Sequence, residues 1–342
     1  MTSVQVRDCN AGDGAAWDAY VAAHVRASFF HQFGWREVFE RALRHRCHYL
    51  LAERDGAVCG VLPLVHVKSL LFGSSLSSLA FCSEAGPLAD DEETLNALEA
   101  AALERARGLG VGSLEYRLRE ASGRERPTKH LYHTFSKTIL ASEEANMQAI
   151  RSKQRNIIRK GIKNGLEFRA TSLERFYPVY AESVRNLGTP VFPRALFEAI
   201  HAAFPDSTEF VEASLEGVAV SGAMNFYHRD SVCPYYWGGT FAARDLKGND
   251  FLAWSILCRA AERGCTLFDF GRSKQGTGAW QWKENLGFEG APLYYEYELV
   301  RDREVPEKNP LNPKYRLFVE GWKHLPLPVS NALGPWLARS LG

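Results

Sequence analysis

Charge of one sign is what this chain most clearly lacks. Its 342 residues carry 41 lysines and arginines against 40 aspartates and glutamates, a formal +1 at pH 7. Whole-molecule electrostatics therefore select no partner class, and a uniformly basic coat is excluded. Long apolar runs are missing too. A membrane-spanning helix needs roughly 18 apolar residues in a row; the longest candidate, residues 58–72, is interrupted by Pro63, His66 and Lys68. The opening MTSVQVRDCNAGDG has no charged-then-apolar signal layout. The cysteines (Cys9, Cys47, Cys59, Cys82, Cys233, Cys258, Cys265) are odd in number and scattered, with no C-x-x-C pair and no close Cys/His cluster. That pattern argues against a disulfide framework or a metal site and for reduced, mostly buried thiols in a cytoplasmic protein.

What is present suffices for two cores: 46% of residues are hydrophobic and 12% aromatic, which excludes disorder as the main state at this length. The periodicity predicts an α+β chain whose halves repeat one order of elements. The first half reads as a strand at Val4–Arg7 and helices at Gly14–Ala23 and Gln32–Leu43. Strands His48–Glu53 and Val58–Leu70 follow, joined by an Asp55-Gly56 turn, and then a strand Leu76–Phe81, a helix Glu92–Leu109 and a strand Ser113–Leu118. The second half reads as helices Leu173–Asn186 and Arg194–Phe204, strands Phe210–Ser214 and Val218–His228 about Glu216-Gly217, and a strand Ser231–Gly238. Helix Phe251–Arg263, strand Thr266–Phe270, helix Ala279–Asn285 and strand Leu293–Val300 complete it. A strand at Leu131–Leu140 is expected to close the first sheet. The expected domains are 1–140, 141–300 and a C-terminal strap, 301–342, whose amphipathic end carries Leu333, Trp336 and Leu337. The strap either packs across the domains or touches a membrane or partner.

Against the neutral average stands one basic helix, expected over 146–164. Arg151, Lys153, Arg155, Arg159, Lys160 and Lys163 fall within thirteen residues, with no acid between Glu144 and Glu167. At about 100° per residue, Met147, Ile150, Ile157, Ile158 and Ile162 share an anchored face, and Arg155, Arg159 and Lys163 form an i, i+4 stripe opposite. Like charges at that spacing destabilise a helix. The stripe is either a solvated face or a phosphate site.

The segment from Cys233 to Phe288 is the richest. Tyr235-Tyr236-Trp237 runs into Gly238-Gly239, where backbone amides can be exposed. Lys247-Gly248-Asn249-Asp250 leads into a helix, with Asn249 or Asp250 as its expected cap and its N-terminus as a candidate anion site. Leu267-Phe268-Asp269-Phe270 ends in a Gly-rich turn, residues 271–278, that has neither phosphate-loop nor dinucleotide-binding spacing. Asp269 points away from the Phe268/Phe270 pair, and either pairs with Arg272 or caps the following turn. Lys283 sits among Trp280 and Trp282, where a snorkelling side chain is the plain expectation.

At these residues the sequence resembles the FemAB family of aminoacyltransferases, and within it the FemAB-like proteins associated with exosortase/PEP-CTERM exopolysaccharide systems. The resemblance rests on Arg155-Asn156-Ile157-Ile158-Arg159-Lys160 with Gly165-Leu166, Tyr235-Tyr236-Trp237-Gly238-Gly239, Phe268-Asp269-Phe270-Gly271-Arg272-Ser273, Trp282-Lys283-Glu284-Asn285-Leu286-Gly287-Phe288, and the tail from Asn309 to Tyr315. It implies two tandem GNAT-like domains. It also implies transfer of an aminoacyl group from charged tRNA to an amine on a phosphate-bearing envelope or polysaccharide precursor, with no metal, no bound organic cofactor and no DNA. Peripheral contact with the inner membrane would suit such an acceptor. Lys283 matches the lysine of the family's Phe-Lys-x-x-Phe-Gly motif; Trp282 and Leu286 depart from it, and the long charged hairpin some members insert is absent.

Acyl transfer needs a neutral nucleophile, a donor for the developing oxyanion and a channel orienting both substrates. In a GNAT-like domain two adjacent strands splay apart to hold the acyl carrier, and Tyr236–Gly239 and Phe268–Gly271 are the candidate strands. Tyr236 is the candidate acid, Asp269 the candidate base, and Lys283 or Arg272 the candidate charge stabiliser. Lys153, Arg155, Arg159, Lys163, Trp237, Gly238, Gly239 and Asn249 are the candidate substrate and phosphate contacts. Two other functions compete. An acyl-CoA-dependent N-acyltransferase usually shows Arg/Gln-x-x-Gly-x-Gly/Ala before a helix, and Arg244 to Asn249 does not. A non-catalytic scaffold for polysaccharide export would bind a lipid-pyrophosphate sugar without turnover.

Overall fold

The computed structural model describes residues 3–69, 73–306 and 313–340. Its contacts divide the chain into one unit of Met1–Leu131, Pro292–Lys308 and Arg339–Gly342, and a second of Tyr132–Ala291 and Asn309–Ala338. Asn309 to Asn312, part of the tail motif, and Leu70 lie outside the described residues.

In the first unit, strands β1 (Gln5–Asp8), β3 (Leu50–Arg54), β4 (Ala57–Leu62) and β7 (Leu88–Ala89) form one sheet. Strands β2 (Arg46–Cys47), β5 (Val65–Ser69), β6 (Gly73–Ser77), β8 (Ser113–Leu118), β9 (Thr128–Lys129) and β17 (Tyr294–Leu299) form another, in the order β2-β5-β6-β8-β17-β9. Helices α1 (Gly14–Ala23), α2 (Trp35–Val38) and α3 (Glu92–Leu109) accompany them. The single strand expected over 58–70 is two strands in two sheets. Pro63 cannot donate to a ladder, so the chain bends there, and the Leu64 carbonyl accepts from the His48 amide at 2.8 Å. Apolar residues from both sheets and α3, among them Leu50, Leu62, Leu76, Leu98 and Leu114, make the core.

The second unit is a seven-stranded mixed sheet in the order β11-β12-β13-β14-β15-β10-β16. The strands are β10 (Tyr132–Thr138), β11 (Glu167–Ala170), β12 (Thr208–Leu215), β13 (Val218–His228), β14 (Ser231–Gly239), β15 (Leu267–Lys274) and β16 (Glu289–Pro292). Helices α4 (Glu143–Gln148), α5 (Ser152–Lys163), α6 (Leu173–Asn186), α7 (Arg194–Ala203), α8 (Phe241–Leu246), α9 (Gly248–Glu262) and α10 (Gly278–Asn285) follow the chain between them, and α11 (Pro313–Lys323) and α12 (Leu327–Ala338) form the tail. The core lies between the sheet and α5, α9 and α10, with Phe135, Ile158, Ala223, Leu252, Ile256, Phe268, Phe270 and Phe288 in contact.

Two strands sit in the opposite unit from the one expected. β10 does not close the first sheet: it pairs antiparallel with β15, from Tyr132 against Lys274 to Thr138 against Leu267. β17 does not close the second: it pairs with β8 from Tyr294 against Leu118 to Leu299 against Ser113. The division therefore falls at 131/132 and again at 291/292. The long-range partner decides each placement, Lys274 to Leu267 for β10 and Leu118 to Ser113 for β17.

The basic helix is also corrected. It is not continuous over 146–164: Arg151, with φ −54° and ψ 140°, leaves the helical region between α4 and α5 and lets Ile150 bury in the core. The buried line of α5 is Gln154, Ile158 and Gly161, whereas Ile162 is 49% exposed. Gly161 sets this orientation, because a Cβ there would lie 2.9 Å from Phe251 Cβ and 3.3 Å from the Lys247 carbonyl at the start of α9.

Candidate functional site

The sheet of the second unit opens between β14 and β15. These strands are parallel, yet their ladder is confined to Ser231 with Leu267 and Val232 with Phe268. Beyond that point β14 stays with β13 as far as Gly239, and β15 stays with β10 as far as Lys274. A bulge marks the parting on each strand: Tyr235 is extra between Pro234 and Tyr236 relative to β13, and Phe270 with Gly271 oppose Phe135 alone on β10. Bulges raise local twist and bend the strand that carries them. Gly271 takes φ +59°, a left-handed conformation that favours glycine.

Asp269 and Lys283 meet at this bulge. Asp269 is buried, and its Oδ1 accepts from the Thr134 hydroxyl at 2.9 Å and from the Gly271 amide at 2.7 Å. Of its two expected roles, it fulfils the turn cap. Lys283 is not snorkelling. Its Nζ is buried and donates to the carbonyls of Phe270 at 2.7 Å and Gly271 at 3.1 Å, close to the rings of Phe135 and Phe270. Burial pushes its pKa down to about 8, against a smaller upward pull from Asp269 and Cys233. Arg272 lays its guanidinium over the Tyr132 ring at 4.7 Å.

On β14 the side chains alternate. Tyr236 joins an aromatic cluster with Tyr180, Phe192, Phe197 and Phe226. Trp237 packs on Phe270 and Trp282 and donates from Nε1 to Asn249 Oδ1 at 3.0 Å. Gly238 serves packing, since a Cβ there would lie 2.7 Å from Tyr180 Cα in α6, and at Gly239 one would lie 2.6 Å from Asn249 Oδ1.

Neither Asn249 nor Asp250 caps α9. The cap is Lys247, in the left-handed region with φ 64° and no side-chain cap bond. Asp250 instead takes hydrogen bonds from Trp282 Nε1 at 2.8 Å and from Gln154, which ties the basic helix and α10 to one carboxylate. Desolvation raises the pKa of that carboxyl. Sequence reasoning missed Thr134, Gln154 and Asp250 as parts of this network; a glutamine within the apolar line of a helix was the available signal for Gln154. On α5, Lys153, Arg159, Lys160 and Lys163 are exposed, and Arg155 reaches the Gln148 carbonyl at 3.4 Å. Among the described residues no cation of that helix forms an ion pair.

The first unit has a corresponding parallel pair, β6 with β8 over Ser75–Ser77 and Ser113–Glu115, but there the chain itself occupies the continuation. The Ser78 amide donates to the Glu115 carbonyl at 2.8 Å, the Arg117 amide to Ser78 Oγ at 2.8 Å, and the Ala85 amide to the Arg117 carbonyl at 3.2 Å. Leu79 (φ 53°) and Phe81 (φ 72°) are buried within this plug, in a conformation costly to bulky residues.

A parallel pair that parts in the second unit and is continued by the chain itself in the first is the arrangement of two GNAT-like units in tandem, and the fold is of that class. Residues 149–284 match the acetyltransferase (GNAT) domain family. The crystal structure of FemX is similar over 92% of this chain and 100% of that one, at 15% identity and a TM-score of 0.68. A tandem GNAT protein from the clavulanic acid biosynthesis pathway matches 88% of this chain and 100% of its own at 10% identity, TM-score 0.57. The C-terminal domain of an Agrobacterium fabrum protein described as a lysylphosphatidylglycerol synthetase matches over 84% and 92%, at 16% identity and TM-score 0.56. No curated protein sequence matches this chain.

Proposed function

We propose that this protein is an N-acyltransferase that moves an aminoacyl group from a charged tRNA to an amine on a phosphate-bearing cell-envelope or exopolysaccharide precursor. The observation that carries the reading is the opening between β14 and β15, where backbone groups without a ladder partner are available to hold an acyl group. The amine attacks the ester carbonyl, a C–N bond forms, the ester C–O bond breaks, and the amine's proton passes to the leaving ribose oxygen. Asp269 is the proposed acceptor of that proton and Tyr236 its proposed donor to the leaving group. Arg272 is the proposed partner of the developing negative charge. Lys283, whose protons are taken by two carbonyls, acts by holding the bulge in shape. The plug over the corresponding pair in the first unit supports placing the chemistry in the second.

Two features support RNA over coenzyme A as the carrier. The first turn of α9, where an acyl-CoA pyrophosphate would be expected, already holds Asp250, whose negative charge opposes a second anion. The cations of α5 have no acidic partners among the described residues, as a surface for a phosphate backbone requires. The name of one similar structure, a lysylphosphatidylglycerol synthetase, also joins this fold to an aminoacyl product. The test is to incubate purified protein separately with radiolabelled charged tRNA and with radiolabelled acyl-CoA, each with an envelope-precursor fraction. Label moving from tRNA is expected. Label moving only from acyl-CoA overturns the donor, and deacylation of neither favours the scaffold.

A further inference from the structure

The last helix of the second unit turns its large side chains outward. α12 is LPVSNALGPWLA, with no charged residue. Its buried line is Ser330, Gly334 and Ala338, and it comes so close to the chain that a Cβ on Gly334 would lie 2.8 Å from Val191 Cγ1 and 2.9 Å from its amide nitrogen. Val329, Leu333 and Trp336, at i, i+4 and i+7, are left 41%, 49% and 59% exposed. On α11, Trp322 is buried while Leu317 and Phe318 are exposed. Of the eleven exposed large hydrophobics among the described residues, five belong to these two helices, so the exposure is concentrated rather than scattered. Both helices pack on α6.

We propose that α11 and α12 form an interfacial foot that rests on an anionic lipid bilayer. Charge complementarity selects this occupant. Residues 316–338 carry Arg316 and Lys323 against the single acid Glu320, which is paired with Lys323 at 2.7 Å and so leaves a positive charge in excess. Apolar burial at the headgroup boundary and attraction of cations to anionic lipid act together in such helices, and tryptophan favours that boundary. The geometry suits contact rather than crossing: among the described residues no helix is long and apolar enough to span a membrane. A stable self-interface would call for about 20–30 residues a side, far more than these five apolar side chains.

The experiment is co-sedimentation of the full chain with phosphatidylcholine vesicles and with vesicles containing phosphatidylglycerol. Binding to the anionic vesicles, weakened by salt, is expected. The variant Leu333→Ser with Trp336→Ser should lower it about tenfold or more, and Arg316→Glu should lower it about threefold or more, with far-ultraviolet circular dichroism and Tm unchanged for both. If the serine variant misfolds, the charge variant decides. No binding to anionic vesicles, equal binding to neutral ones, or binding indifferent to both variants overturns the proposal. So does a dimer in sedimentation that the serine variant dissolves, which would assign the face to a second copy.

Discussion

Lys283 Nζ lies 2.7 Å from the Phe270 carbonyl oxygen and 3.1 Å from that of Gly271, so a buried cation fastens α10 to the bulge where β15 leaves β14. This has a consequence for stability. With its pKa pushed down to about 8 from an ordinary 10.5, the folded chain binds fewer protons than the unfolded one between those values. The lysine's contribution to stability therefore rises with pH across that window. The thiols of Cys9, Cys47, Cys258 and Cys265, raised by desolvation, contribute the opposite slope above about pH 9, so the lysine is read as a difference. Urea unfolding between pH 8 and 10.5 should give a more positive slope in the parent than in Lys283→Met. An equal slope in both would place the titrating group elsewhere.

Asp269 permits a separation of chemistry from architecture. In Asp269→Asn, an amide oxygen can still accept from Thr134 and Gly271, so Tm should change little while turnover falls about a hundredfold or more, the usual weight of a general base. In Asp269→Ala both donors lose their partner and a loss of about 1–3 kcal/mol is expected as well. Turnover in Asp269→Asn within a few-fold of the parent would remove the carboxylate from the reaction.

The paired glycines at the end of β14 should respond differently to alanine. At Gly238 the new Cβ meets the backbone of Tyr180 at 2.7 Å, which cannot yield, and a loss of about 1–3 kcal/mol in thermal or urea unfolding is expected. At Gly239 it meets the end of the Asn249 side chain at 2.6 Å, which can rotate at the expense of its bond to Trp237. Gly239→Ala should therefore cost less stability than Gly238→Ala and report mainly on the Trp237 side of the opening.

Arg155, Arg159 and Lys163 should act on RNA affinity without weakening the fold. Replacing all three with glutamine removes like-charge repulsion on α5, so Tm should hold or rise. The salt dependence of tRNA binding should fall by about two in slope, at about 0.7–0.9 per lost phosphate contact. Filter binding across a salt series checks both the affinity and the slope, and an unchanged slope would leave the stripe a solvated face.

Local elements were legible in the sequence because local chemistry makes them. The Asp55-Gly56 and Glu216-Gly217 turns pair Arg54 with Ala57 and Leu215 with Val218 as hairpins should, and the alternation about Asp269 set it apart from Phe268 and Phe270. The pairings of β10 and β17 were not legible. Each depends on a partner more than a hundred residues away, and a strand such as Tyr132–Thr138, in which only Tyr132 and Phe135 are not polar, carries too little apolar pattern to select its neighbour. The site was readable to the same depth. Alternation singled out Asp269 and the family resemblance singled out Lys283, whereas the bond from Thr134 that holds Asp269 joins residues 135 positions apart.

The exchange of strands has a consequence for how the molecule is made. Synthesis runs from the N-terminus at about 5–20 residues per second, and a first domain commonly folds while the second is still on the ribosome. Here the first unit's sheet lacks β17, which lies between β8 and β9, until residues 294–299 have been translated. By then every strand of the second unit's sheet has been translated, so the half synthesised first waits on a strand that is made after those of the other half.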